Sequence, residues 1–194
     1  MQKLQDIAHL QVGFTLARNK ATPSSLQSYS YQILSMNAFP SDGIQMISGH
    51  EGLYVCSEKI SENYFIKKGD VVIRLRDPIG CIYVSKDEQK LLVSSLAVIV
   101  RIEKSKILGE YLAYYLNSSL AQSYFQTKIR GTTIPMIRVA DIKQMPIPLP
   151  SLKKQSQMIA LMQEGDREIS FLNELIEQKR MLKHQFFKSL ITKE

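Results

Sequence analysis

No stretch of the 194 residues stays apolar over the roughly 18 positions that a membrane-crossing helix needs. A helical span is excluded, and no membrane partner is expected. The first residues, MQKLQDIAHLQVG, lack the basic-then-apolar layout of a secretory signal. Cysteine is scarce: Cys56 and Cys81 are the two, neither lies in a CxxC pair, and His9, His50 and His184 are scattered. A zinc site needs ligands clustered at short spacing, so no metal ligand is assigned. Buried free thiols in a reducing compartment are expected instead, and with them a cytoplasmic location.

Catalytic signatures are missing as well. There is no GxxxxGK[ST] phosphate loop and no GxGxxG opening a helix after a strand. There is no HExxH and no GxSxG elbow. An amino-methyltransferase needs an Asn/Asp-Pro-Pro-aromatic motif, and DPIG at Asp77 supplies only its first two letters; a tight turn explains it better. The nearest approach to chemistry is Asp77 followed by EQK at Glu88–Lys90, which resembles the Asp…Glu-x-Lys set of metal-dependent nucleases. The same EQK recurs at Glu177–Lys179, so the triplet arises cheaply. The expectation is a binding module with no catalytic residue and no cofactor of its own; a metal-dependent nuclease is the weaker alternative.

What is present is basic and well patterned. The net charge is +7; residues 1–150 carry 17 Lys/Arg against 12 Asp/Glu, and residues 151–194 carry 8 against 6. A basic globular part points toward a polyanion partner. The segments Tyr29–Ser35, Asp70–Arg76, Gly80–Ser85 and Leu91–Ile102 are rich in β-branched and aromatic residues and are predicted strands. Turn chemistry separates them, as in KKGD at Lys67–Asp70 and DPIG at Asp77–Gly80. A helix is predicted after Leu108, with Leu112, Tyr115, Leu116, Leu120 and Tyr124 on one apolar stripe. Its tyrosines are read as core rather than as a stacking platform for bases.

Pro146, Pro148 and Pro150 fix φ near −65° at alternate positions, so Gln144–Pro150 is predicted to be an extended strap. Ser151 is placed to cap a helix. From Leu152 to about Thr192 there is no proline and one glycine, Gly165. Some 40 helical residues would span ~60 Å, longer than a small domain is wide. Met162, Ile169, Leu172, Ile176, Leu182 and Phe186 form a narrow apolar stripe, interrupted by Lys179 and Lys183. Such a helix must meet another helix. The predicted class is therefore α+β, with a compact, mixed β-rich domain over residues 1–150 and a long coiled-coil helix over residues 151–194.

MPIPLPSLKKQSQMIALM, followed by a long helix, resembles the signature of type I restriction-modification specificity subunits. The residues that carry it are Pro146, Ile147, Pro148, Pro150, Leu152, Gln155 and Ile159. LQDIAHLQVGF resembles that family's opening strand, IKKGDVVI its Gly-Asp segment, and RGTTIPMIRVADIKQ the loop and short helix before the strap. The family's usual subunit carries two target-recognition domains and two long helices; here there is one of each. An opening strand directly after Met1 favours a complete short subunit. The resemblance implies a non-catalytic reader of double-stranded DNA that directs methyltransferase (modification) subunits, which methylate adenine with S-adenosylmethionine, and in some systems restriction subunits. It further implies a homodimer through residues 155–192, antiparallel and twofold, and a target of two identical inverted half-sites. The alternative is a coiled-coil adaptor that binds no DNA.

Base edges are read best by Arg at guanine and by Asn or Gln at adenine, while phosphate contacts position the protein. The expected DNA-contacting residues are basic and polar groups in turns. They are Arg74 and Arg76 beside DPIG; Lys128, Arg130, Thr132 and Thr133 around Gly131; and Arg18 and Lys20, with Thr22 and Ser24, in an early loop. Lys86, Lys90, Lys104 and Lys106 are read as plain surface.

Overall fold

The structure, a computed structural model, describes residues 1–18, 28–40, 42–47, 50–86, 90–131 and 135–191. In chain order the strands β1 (Gln2–Lys3), β2 (Ala8–Val12), β3 (Tyr29–Leu34), β4 (His50–Cys56), β5 (Val71–Arg74), β6 (Cys81–Tyr83), β7 (Leu91–Leu92) and β8 (Ala97–Ile102) come first. Helices α1 (Gly109–Asn117), α2 (Ser119–Lys128) and α3 (Val139–Lys143) follow, then β9 (Pro146–Ile147) and the long α4 (Leu152–Ile191). The class is α+β, as the sequence predicts.

The central sheet is antiparallel in the order β2-β8-β5-β6. Its middle strands are covered on both faces, which is why VVI and AVIV read as unbroken apolar runs rather than as alternation. Val71, Ile73, Val98 and Val100 point into a core shared with α1 and α2, where Leu112, Leu116 and Phe125 are fully buried. Val72, Ala97 and Ile99 point the other way, against Leu34, Phe39, Ile82 and Val93. A second sheet, β4-β3-β7, covers that side and adds a smaller cluster around Tyr54, Phe65 and Leu92.

Several predicted elements are modified. Leu91–Ile102 is two strands, because the chain changes sheets between β7 and β8. It wraps the backbone of Gly13 and Phe14, whose N–H groups donate to Ala97 O at 3.0 Å and Val93 O at 2.7 Å. A Cβ on Gly13 would stand 2.1 Å from the carbonyl oxygen of Ser94, so the approach requires glycine. The helix after Leu108 is broken at Ser118, which is extended (ψ 157°) and caps α2 by accepting from Ala121 N. The break turns Leu120 out to 73% exposure and buries Ala121 and Phe125 instead. Strand β4 has no counterpart among the predicted strands.

The strap is extended, as its prolines demand. Its Pro146–Ile147 pairs antiparallel with Gln2–Lys3, and Leu4 N donates to Met145 O at 2.9 Å. In an extended chain, alternate carbonyls leave from the same edge, and here they are all used. Tyr115 Oη donates to Pro146 O at 3.0 Å, Tyr111 Oη to Pro148 O at 3.0 Å, and Gln155 Nε2 to Pro150 O at 2.9 Å. The α1 tyrosines are thus packing residues whose hydroxyls grip the strap. Ser151 caps α4, with its Oγ accepting from Lys154 N at 3.4 Å.

Over its 40 residues α4 is uninterrupted helix, ~60 Å at 1.5 Å per residue. Gln155 is its one buried residue. Farther along, Tyr114 Oη donates to Asp166 Oδ2 at 2.6 Å and holds the helix against α1. The predicted stripe faces solvent throughout: Met162, Ile169, Leu172, Ile176, Leu182 and Phe186 are 43–65% exposed.

Candidate nucleic-acid interface

The antiparallel order of the central sheet places the loop after β2, the turn after β5 and the start of β8 at one end. The hairpin that carries Gly131 joins them there. Arg130 and Met136 exchange both backbone hydrogen bonds, at 3.0 and 3.1 Å, around a Gly131 with φ +96°. On its other side Met136 bridges Arg76, while Ile137 N donates to Leu75 O at 3.0 Å and Asp77 N to Pro135 O at 3.2 Å. Met136 is therefore the middle rung between Arg76 and Arg130. Two strand spacings place these arginine backbones roughly 10 Å apart, and both residues are exposed.

Other polar groups surround this rung. Lys128 Nζ sits 5.6 Å from the centroid of the Tyr124 ring. Gln126 Nε2 donates to Asp77 Oδ1 at 3.4 Å. Arg138 grips Asp141 through two nitrogens at 2.9 and 3.3 Å. The Arg138 hydrogen bond is the main reason the Asp141 carboxyl lies below its ordinary range, and the charges of Arg130 and Lys128 add to it.

The sequence-predicted residues divide. Arg76, Lys128 and Arg130 come together on one surface. Arg74 does not join them: its Nε donates to Pro78 O at 2.7 Å, its Nη2 reaches the same carbonyl, and its Nη1 donates to Met36 O at 3.1 Å. Its guanidinium also lies 5.5 Å from the Phe39 ring centroid, so it is spent on bracing the DPIG turn. Arg18 ends a 3-10 turn, Leu16–Arg18, in the loop that leaves the same end of the sheet. Lys20, Thr22, Ser24, Thr132 and Thr133 lie outside the described residues, as does Glu88 of the nuclease-like set. Arg138 and Gln126 were not expected there, because their proximity depends on a hairpin and a helix break that have no local signature.

Among the described residues no three His, Cys, Asp or Glu side chains gather as a metal set. Cys56 and Cys81 are buried and free, and burial pushes the Cys81 thiol well up. No described helix is long and apolar enough to cross a membrane.

The root of the rod is the other organised polar site. Gln155 is fully buried. Its Oε1 accepts from Leu108 N at 2.9 Å, and its Nε2 donates to Lys106 O at 3.1 Å and to Pro150 O. One amide thus ties the start of α1, the strap and the first turn of α4. Asn117 works similarly: its Oδ1 accepts from Cys81 N, and its Nδ2 donates to Cys81 O and Gly43 O.

The family model for the type I restriction modification DNA specificity domain matches residues 1–179. The chain belongs to that family. This specificity domain is 25% identical over 159 residues to the type I restriction enzyme MjaIX specificity subunit of Methanocaldococcus jannaschii, covering 82% of this chain and 32% of that one. It superposes on the crystal structure of the type I restriction-modification S subunit from M. genitalium with a TM-score of 0.56 at 18% identity, over 95% of this chain and 43% of that one. It superposes on the HsdS subunit from Thermoanaerobacter tengcongensis with a TM-score of 0.55 at 17% identity, over 89% and 38%. At such identities the superpositions establish the fold. The specificity domain spans about a third of the length of the curated relative.

Proposed function

We propose that this chain is a non-catalytic reader of double-stranded DNA, acting as half of a two-domain specificity subunit. In this reading residues 1–150 carry the recognition surface and residues 151–194 form the rod that spaces two such surfaces. The observation that carries it is the rung in which Met136 sets Arg76 and Arg130 side by side, within a chain of the DNA specificity domain family. Arginines on one edge, flanked by Lys128 and Arg138, suit a groove lined by phosphates and guanine edges.

Two copies associate through α4 in an antiparallel, twofold arrangement, because its apolar seam is exposed along its whole length. Twofold symmetry then requires a target of two inverted half-sites with a fixed gap. Methyltransferase subunits dock on this scaffold to modify adenine in the cytoplasm, and restriction subunits join them where the system has them. The test is a mobility-shift titration of the chain together with its modification subunit, followed by mapping of methylated adenines in the source cell. A bipartite, palindromic methylated motif that is lost when the chain is deleted is the expected result. Absence of any motif change on deletion overturns the reading and leaves the adaptor.

A further inference from the structure

The seam of α4 carries a register. From Met158 to Leu190 it steps by four and three in strict alternation, through Gly165, Ile169, Leu172 and Ile176, which is a heptad pattern. A twofold axis across the helix matches each position with one in reverse order. The seam therefore meets itself only at centres half a heptad apart: between 170 and 171, at Glu174, or between 177 and 178.

The residues that flank the seam separate these choices. With the axis at Glu174, the residues just after the seam positions Gly165 and Met158 lie on the flank where two antiparallel helices meet, beside the strictly mirrored position. Asp166 lies nearest the partner's Arg180, twice over, and Ile159 nearest the partner's Phe187. Half a heptad toward the N-terminus, Arg180 would face apolar Ile159; half a heptad the other way, Asp166 would face Phe187. The middle register is the one of the three that sets Asp166 against Arg180 and Ile159 against Phe187; Lys179 meets an apolar seam residue in all three, Ile169 in this one. This register also places the partner's Lys183 opposite Gly165, where a Cβ would meet nothing within 4 Å beyond the adjoining residues and backbone of its own helix. That open layer lets the lysine stem cross the seam while its ammonium runs out to water.

The surface beside the helix ends where this register needs it to. A groove of about 240 Å³ opens between α1 and α4, lined by Tyr111, Tyr115, Leu120, Met158, Ile159 and Met162. A second, of about 250 Å³, continues past Gly165 and Asp166 to Ile169. A third, of about 400 Å³, runs on to Asn173. Together they flank α4 from Met158 to Asn173, the residue before the axis. An antiparallel partner would lay the second half of its helix along this same half.

We propose that two copies pair with their twofold axis at Glu174, and that the Phe186–Phe187 tip of each helix seats in the α1–α4 groove of the other. Both phenylalanines are otherwise bare, at 65% and 64% exposure. The proposal rests on the antiparallel pairing proposed above and adds its register and its seat.

The experiment mixes full-length Met162→Cys chain with Phe186→Cys chain under mild oxidation, and repeats it with Leu120→Cys and Phe187→Cys. The native thiols are buried and do not compete. Mixed pairs are expected to give disulfide-linked dimers. Each variant alone is expected to give none, since like positions 162 lie ~36 Å apart along the rods. A dimer by sedimentation that fails to cross-link at 162–186 overturns the register while leaving the pairing intact. Linkage of Met162→Cys to itself overturns both, and so does a monomer at tens of micromolar. In a second arm, Arg180→Asp weakens the dimer about tenfold in Kd, from two lost ion pairs, and adding Asp166→Arg restores it. Asp166 has a second partner in Tyr114, and Arg180 has one in Glu177, so rescue at a distant position is a result that local roles cannot produce. Failure of the swap to restore pairing overturns the register.

Discussion

Gln155 Oε1 accepts a hydrogen bond from the backbone N–H of Leu108 at 2.9 Å, across 47 positions of chain. Replacing Gln155 by Leu takes their partner from that N–H and from the carbonyls of Lys106 and Pro150, around a side chain that is itself fully buried. Buried unsatisfied groups cost about 1–3 kcal/mol each when they cannot reach water. Gln155→Leu is expected to lower unfolding stability by about 2–4 kcal/mol in urea denaturation. Gln155→Glu keeps the acceptor, loses both donations and is expected to be no better.

The arginines around Met136 and the one beneath them should part company under mutation. Arg130→Ala or Arg76→Ala is expected to leave urea stability within about 0.5 kcal/mol of the parent. Either change should weaken specific DNA binding by about 1–3 kcal/mol if its guanidinium reads a base, or reduce the salt slope by about one if it meets a phosphate. Arg74→Ala is expected to do the reverse. It should cost about 1–3 kcal/mol of stability, because Pro78 O and Met36 O lose a charged donor. Anisotropy titrations at two salt concentrations, beside urea curves, separate the three.

Gly13 is expected to tolerate no side chain. In Gly13→Ala the new Cβ would collide with Ser94 O and with Val93 O, at 2.1 and 2.6 Å. Backbone must move, at a cost of about 1–3 kcal/mol or more. The readout is a lowered melting temperature with loss of amide protection at Phe14 and Ser95.

Asp141 offers a pH signature of the basic patch. Its pKa is held below the ordinary aspartate range chiefly by its hydrogen bond with Arg138. A depressed carboxyl adds stability above its unfolded pKa and loses it as pH falls through the folded value. Carboxyl NMR titration is expected to show Asp141 ionising below the ordinary aspartate range. Arg138→Ala should move it upward, and DNA should perturb the same signal.

The strap should control spacing rather than sequence. Pro148→Gly with Pro150→Gly frees two fixed φ angles while the carbonyls remain for Tyr111 and Gln155. Methylome mapping is expected to show half-site sequences unchanged and gap lengths broadened. An unaltered single gap would mean that the α1 grip alone sets the angle.

Some of this could be read before any fold was seen. The prolines at 146, 148 and 150, Ser151 and the unbroken run to residue 191 dictate the strap and rod by local backbone restriction alone. The KKGD turn is likewise local: Gly69 has φ +93°, and Asp70 Oδ2 accepts from Lys67 N at 3.0 Å. The break at Ser118 was hidden because an apolar stripe spans it. Strand β4 was hidden by Gly52, with φ +40°, and by a register shift opposite Gln32 and Ile33. Arg74 and Arg76 look alike in sequence; what separates them is Pro78 O in the next turn, together with Phe39 and Met36 O from a distant segment.

The pairing of Gln2–Lys3 with Pro146–Ile147 parks the chain's opening residues at the foot of its own rod. In an antiparallel pair, the last turn of one copy ends at the foot of the other, close to where that copy's chain starts. In the proposed pair, the β1–β9 ladder of each copy would therefore lie where the partner's rod arrives, at both ends of the coiled coil.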